Sequence, residues 1–241
     1  MGRFGRFYFI TSRINNLKFR WAQTSPIRYV KFLRKKGCKI GKGWMTTDVK
    51  TVHIDITRPS LVEIGDNVRL NRNFTLFTHD ASFYVFKNKF HEIIPRSGKV
   101  KIGNNVYFGR NCSVLAGVTI GDDCIIGYGS LVTRDIPSGS IAVGVPAKVI
   151  CSLDDYYEKR KQKCIPEAFE YAKSIQERFH RMPEIEDFWE EFPLFVDKDN
   201  MHLYPNLPYK RQLGDSLPYW LEHHKRVFDG FEEFLKAAGV K

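Results

Sequence analysis

The side chains best suited to chemistry near neutral pH in this 241-residue chain are seven histidines and five cysteines. The cysteines show no CxxC spacing and no Cys/His ligand cluster, so nothing reads as a structural zinc site. His79 is the candidate that stands apart. It lies in Leu76-Phe-Thr-His-Asp80, where a repeating stretch of sequence gives way to one without any repeat. A neutral imidazole can take the proton of an attacking hydroxyl near pH 7. No nucleophile–base pair is legible beside it, so a covalent enzyme intermediate is not expected. Asp80 either orients the imidazole, contacts a substrate, or is a solvated carboxylate. His91 lies in the same non-repeating stretch and is the second candidate base. His53, further upstream, either lines an acceptor pocket or faces outward.

The elements that must hold these residues are written in sixes. From Ile102 to Pro137 the positions Ile102, Phe108, Val114, Ile120, Ile126 and Val132 start successive six-residue units, and four of the six have Gly second. The fifth positions, Val106, Cys112, Val118, Cys124, Ser130 and Ile136, are all small or aliphatic. Neither a helix nor an alternating strand has this period. Hexapeptide repeats coiling into a parallel β-helix do, with three short walls per turn. The first positions then stack inward, and each Gly is expected to relieve the backbone at a corner. A separate count by sixes from Ile40 gives Thr46, Val52, Arg58, Ile64, Leu70 and Leu76, with Arg58-Pro59 read as a bulged corner. From Leu76 to Ile102 the count fails, so residues 79–99 read as a loop thrown out of the coil, rich in Phe and Tyr.

The run Ser130-Leu-Val-Thr-Arg-Asp-Ile-Pro137, followed by Val143-Gly-Val-Pro-Ala-Lys-Val-Ile150, resembles the end of the coil in the hexapeptide acyltransferases. The galactoside and maltose acetyltransferases and the exopolysaccharide O-acetyltransferases are the members it is most similar to. The resemblance covers about Ile40 to Ile150. It implies a left-handed coil, a homotrimer with active sites between subunits, and acetyl-CoA as co-substrate without a metal. It makes His79 the catalytic base, with Asp80, His53, Tyr84 and His91 toward the acceptor. For coenzyme A it points to Gly109 and Arg110 near the reactive end and to Gly127 and Tyr128 along the pantetheine arm. Thr133, Arg134 and Lys148 fall toward the nucleotide, where a lysine suits phosphate. Arg110 and Tyr128 are bulky where the family is often small. The acceptor-contacting Asn and Asp of the galactoside enzymes have no clear match.

Three function classes follow. The leading one is transfer of acetyl from acetyl-CoA to a saccharide hydroxyl, with a surface polysaccharide precursor as the candidate acceptor. A xenobiotic (antibiotic) acetyltransferase is the enzyme alternative, and a non-catalytic β-helix scaffold is the other class. A zinc carbonic anhydrase of the same fold needs three converging histidines, and residues 92–150 hold none.

Charge is unevenly placed. The net charge is +11, and residues 1–42 hold twelve Lys or Arg and no Asp or Glu, which leaves the rest near neutral. This basic segment suits a helical cap over residues 1–37 and contact with an anionic membrane face. No nucleic-acid motif accompanies it. Phe7, Ile10, Ile14, Leu17 and Trp21 have helical spacing, and a second helix is expected from Ile27 to Lys36, ending at Gly37. No apolar run approaches the length of a membrane span or a signal core, so the expectation is a cytoplasmic protein, with peripheral contact at the inner face of the membrane through the basic segment. The expected fold is mainly β. A left-handed parallel β-helix over 38–150 lies between the N-terminal helical cap and an α-helical extension over 151–241. That extension should hold one or two helices over 153–182 broken near Pro166, a short acidic helix over 184–192, and an amphipathic helix over 218–238.

Overall fold

The structure is a computed structural model, and it describes residues 17–240. The chain divides between Tyr156 and Tyr157 into two compact units.

The first unit is a parallel β-helix with three walls. The first wall stacks Lys39–Ile40, Val62–Ile64, Val100–Ile102 and Thr119–Ile120, all parallel. Met45–Thr46, Arg69–Leu70, Tyr107–Phe108, Ile125–Ile126 and Ser140–Val143 form the second wall, which the antiparallel strand Lys148–Ser152 closes. In the third wall are His53–Ile54, Thr75–Leu76, Ser113–Val114 and Leu131–Val132. The register sets each first-position residue directly over the next, as in Ile40, Ile64, Ile102 and Ile120. All first positions from Ile64 to Val132 are buried, as are all the fifth positions. Phe74 and Phe108 meet edge-on inside the coil at 4.8 Å.

The early turns depart from the six-residue count. Ile54, not Val52, occupies the third wall, and the first turn takes 24 residues from Ile40 to Ile64. Two 3₁₀ turns, Val49–Thr51 and Pro59–Leu61, take up the extra chain. Arg58 is therefore not an inward position. Its guanidinium donates to the Arg96 carbonyl at 2.9 Å and to the Ser97 hydroxyl.

The glycines also work differently from the expectation. The left-handed corners are fourth positions: Asn67, Asn73, Asn105, Asn111, Gly117, Asp123 and Gly129. Asn and Asp tolerate that region because their side chains bond locally. Second-position glycines are required by proximity instead. A Cβ on Gly103 would stand 2.6 Å from the Gly121 carbonyl carbon, and one on Gly109 would stand 2.6 Å from the Tyr128 nitrogen. Third-position side chains then tie turn to turn. Asp66, Asn104 and Asp122 accept from Lys42, Asp66 and Asn104 backbone N–H groups at 2.6, 2.8 and 2.6 Å.

The helix Pro26–Lys36 buries Tyr29, Val30 and Leu33 in the same apolar cluster as the first coil turn. It starts with Pro in its first turn and ends at left-handed Gly37, with Gly37 N–H on Arg34 O and Cys38 N–H on Leu33 O. That is the expected stop. Residues 17–22 are also helical, but Leu17 and Trp21 face outward; Phe19 and Ala22 are the residues that pack inward. The expected positions Phe7, Ile10 and Ile14 lie outside the described residues.

The second unit has its own core around Phe188, Phe192, Phe195 and Phe234. One helix runs unbroken from Leu153 to Phe179 with Pro166 inside it. Proline forfeits one helix hydrogen bond, and the buried row Ala168, Ala172 and Ile175 continues past it. The acidic segment is a 3₁₀ turn, Ile185–Phe188, and Phe192–Leu194 is a separate one. The expected helix over 218–238 is two helices, Leu217–His223 and Phe231–Ala238. Extended His224 and Gly230 at φ 118° separate them, and Val227 is exposed.

Candidate active site

His79 begins an insertion of the coil that has structure of its own. His79–Asp80 pairs antiparallel with Arg96–Ser97, and a helix, Phe83–Phe90, lies between them. The expected loop over 79–99 is therefore a clamped hairpin. Arg58 holds its returning strand, as described above. Arg96 reaches back to Asp80 at 3.3 Å.

The group that engages the His79 ring is Asp55, which sequence reasoning missed. Its Oδ2 lies 2.6 Å from His79 Nδ1. The same oxygen accepts the Thr78 N–H at 3.0 Å and the Thr78 hydroxyl at 2.5 Å. Asp55 Oδ1 accepts the Thr57 N–H at 2.9 Å and the Thr57 hydroxyl at 2.6 Å. Burial of Asp55 favours the neutral acid, but the hydroxyl and N–H donors of Thr57 and Thr78 outweigh it and hold the carboxyl well below the usual carboxylate range. An ionised, fully engaged carboxylate can only accept, so Nδ1 of the ring must carry the proton. Thr57 Oγ1, 3.1 Å from Nδ1, has given its own proton to Asp55 and offers only a lone pair. In neutral His79 the free electron pair is therefore on Nε2. The Asp55 side chain is 5% exposed and that of His79 is 32% exposed. The orienting group is thus walled off while the base stays reachable.

Asp55 and His79 meet because Ile54 pairs with Leu76 in the third wall, so the residues leaving both strands share one corner. Asp80 does not orient the ring. It accepts from the Ser82 hydroxyl at 2.6 Å and N–H at 3.0 Å, and these bonds, with Arg96, lower its pKa. His53 is outward on the third wall, opposite Thr75. Tyr84 is exposed on the hairpin helix and stacked on Phe83 at 4.6 Å. His91 caps that helix in the left-handed region at φ 59° and is exposed.

The residues expected along coenzyme A form two groups. Gly109 packs beneath the backbone of Gly127 and Tyr128. Tyr128 is 73% exposed, and its hydroxyl accepts from Asn111 Nδ2 at 2.8 Å, so its ring is tied along the coil. Arg110, next to Gly109, is exposed. Thr133 and Arg134 leave the third wall exposed. The exit segment returns beside them: Leu131 N–H bonds Gly144 O at 3.0 Å and Ala147 N–H bonds Leu131 O at 2.8 Å, which sets exposed Lys148 at this end of the coil. No described contact joins either group to His79. Among the described residues no cluster of three His, Cys, Asp or Glu is placed to hold a metal ion. No described helix is long and apolar enough to cross a membrane.

The family of bacterial transferase hexapeptides (six repeats) matches residues 99–134. YvoF of Bacillus subtilis (strain 168) is 32% identical over 134 residues, which are 56% of this chain and 70% of YvoF. Galactoside O-acetyltransferase of Escherichia coli (strain K12) is 39% identical over 126 residues, half of this chain and 58% of that enzyme. The match thus spans under two thirds of the galactoside enzyme's own length. A solved galactoside acetyltransferase in complex with coenzyme A is 27% identical, with a TM-score of 0.43 over 61% of this chain and 82% of that one.

Proposed function

Because the chain belongs to the bacterial hexapeptide-repeat transferase family, we propose that it transfers acetyl from acetyl-CoA to a saccharide hydroxyl, with His79 as general base. The observation that carries this reading is the 2.6 Å contact between His79 Nδ1 and ionised Asp55. The acceptor hydroxyl gives its proton to Nε2 as its oxygen attacks the thioester carbon. The tetrahedral intermediate collapses, the C–S bond breaks, and the proton held on Nε2 can leave with the CoA thiolate as thiol. Asp55 keeps Nδ1 protonated throughout and stabilises the imidazolium that forms, as the carboxylate of a Ser-His-Asp triad does.

Acetyl-CoA would lie along the coil edge, with its thioester toward Gly109 and Arg110 and its pantetheine arm past Gly127 and Tyr128. Thr133, Arg134 and Lys148 would hold its nucleotide end. No described contact joins these groups to His79 within one chain, which fits a site completed by a neighbouring subunit of a left-handed homotrimer. Exposed Tyr84, with Asp80, His53 and His91, would face the acceptor. The helix Pro26–Lys36 would cap the first turn. Two assays test the reading. Calorimetry with CoA should show binding, and thiol release from acetyl-CoA should be stimulated by members of a sugar panel. CoA binding without release on any sugar, but with release on an antibiotic panel, moves the acceptor to the xenobiotic class. No CoA binding at millimolar concentration leaves a scaffold. Sedimentation should give three times the chain mass; a monomer contradicts a site shared between subunits.

A further inference from the structure

The acetyl-transfer reading makes no use of one charged surface. Residues 17–36 carry Lys18, Arg20, Arg28, Lys31, Arg34, Lys35 and Lys36 and no acidic residue. Leu17, Trp21 and Ile27 are 67%, 61% and 70% exposed on the same segment. They adjoin. Leu17 and Trp21 are four apart on the helix over 17–22, and Arg28 lies over the Trp21 ring at 4.8 Å, next to Ile27. Ile27, Lys31 and Lys35 are spaced by four along Pro26–Lys36, on the side away from buried Tyr29, Val30 and Leu33. Among the described residues, Lys18, Arg20, Lys31 and Lys35 form no ion pair, and Arg34 is the cation turned inward, onto the Ile40 and Gly41 carbonyls. Phe4, Phe7, Tyr8, Phe9 and Ile10, with Arg3, Arg6 and Arg13, precede this segment in the sequence, again with no acidic residue.

Exposed Trp and aliphatic residues among unpaired cations match one kind of partner better than others. An apolar–charged interface of anionic lipid takes the rings and aliphatic groups at its headgroup boundary and the cations at its phosphates. Nucleic acid would use the cations but gives no reason to expose Leu17 and Ile27 beside them. We propose that residues 17–36 form a docking surface for an anionic phospholipid bilayer, holding the coil at the membrane face. This is independent of the reaction assigned to His79.

The test is co-sedimentation of the full chain with phosphatidylcholine vesicles made with or without phosphatidylglycerol, plus brominated-lipid quenching of tryptophan. Binding should require phosphatidylglycerol and weaken as salt screens the charges. The variant K18Q/R20Q/K31Q should bind about 10²-fold more weakly, at about fivefold per cation. L17S/W21S/I27S should lose binding while keeping CoA affinity and oligomeric state. W21F should keep sedimentation but lose most quenching, because Trp21 is the ring in contact with lipid. Equal binding to both vesicle types, or unchanged binding by either multiple variant, overturns the proposal. So does a changed oligomeric state in L17S/W21S/I27S, which would make the patch a contact between copies. Salt-sensitive binding to duplex DNA without vesicle binding also overturns it.

Discussion

Asp55→Asn exchanges one oxygen for an NH₂ at the centre of the candidate site and should be among the most damaging isosteric substitutions in the coil. The carboxylate receives five contacts: His79 Nδ1, and the N–H and hydroxyl groups of Thr57 and Thr78. An amide has only one acceptor oxygen. If its NH₂ takes the Oδ2 position, it faces the Thr78 N–H, donor against donor, and forces His79 to accept at Nδ1. The ring proton then moves to Nε2, and the base is lost. If the NH₂ takes the Oδ1 position, the Thr57 N–H loses its acceptor. Either way one poorly solvated donor goes unpaired, at about 1–3 kcal/mol. At about 2–4 °C per kcal/mol for a chain of this size, Tm should drop by roughly 2–12 °C. With the NH₂ at the Oδ2 position, the kcat for thiol release should fall by roughly 10²–10⁴-fold, the span of one positioned acid–base group. CoA affinity by calorimetry should stay the same, because no described contact joins Asp55 to Gly109 or Gly127. Asp55→Ala separates the two effects: it unpairs more donors and should lower Tm further, yet it leaves the ring free to take either tautomer and should retain more activity per folded molecule. A kcat of Asp55→Asn within threefold of wild type, in a variant whose His79 ring carries its proton on Nε2 by ¹⁵N NMR, would show that the Nδ1 proton does not matter, and the mechanism would be wrong.

Three further substitutions probe the fold. Gly103→Ala puts a Cβ 2.4 Å from Asp122 Oδ1 and 2.6 Å from the Gly121 carbonyl carbon, so it should cost about 1–3 kcal/mol by denaturant unfolding; a neutral result refutes the close-approach account of these glycines. Gly129→Asn, at φ 69° with nothing within 4 Å, repeats what Asn105 and Asn111 already do at that rung and should stay within about 0.5 kcal/mol. Burial pushes Tyr29 up to about 12. The unfolded chain releases that proton near pH 10, so the folded state binds more protons between about pH 10 and 12 and stability falls as pH rises through that window. Tyr29→Phe should flatten this alkaline slope by up to about 3 kcal/mol, while costing about 0.5–1.5 kcal/mol below pH 10 for the lost bond to Val52 O. An unchanged slope in Tyr29→Phe assigns the alkaline loss to other groups.

The coil was legible where the six-residue count is undisturbed, because burial of Ile102 to Val132 follows directly from side-chain period. It was not legible where chain length per turn changes. Ile54 replaced Val52 in the wall because the turn at Val49–Thr51 inserts residues that a fixed count cannot see. Asp55 was missed for the same reason: its partner is 24 residues away in sequence, and only the pairing of Ile54 with Leu76 brings them to one corner. Asp55-Ile-Thr57 directly after a wall strand was the available signal. His79 itself was visible because it ends the repeat. In the second unit, Gly230 was a readable break inside the supposed helix over 218–238, whereas the tolerance of Pro166 depends on packing further along the helix that no local pattern records.

The most direct measurement is thiol release from acetyl-CoA by wild type, His79→Ala and His91→Ala across the sugar panel, with CoA affinity measured on the same preparations. The account predicts sugar-dependent release by wild type and a roughly 10²–10⁴-fold lower kcat for His79→Ala. It also predicts near-wild-type turnover for His91→Ala and unchanged CoA affinity in all three. Full turnover by His79→Ala, with or without loss in His91→Ala, would contradict it.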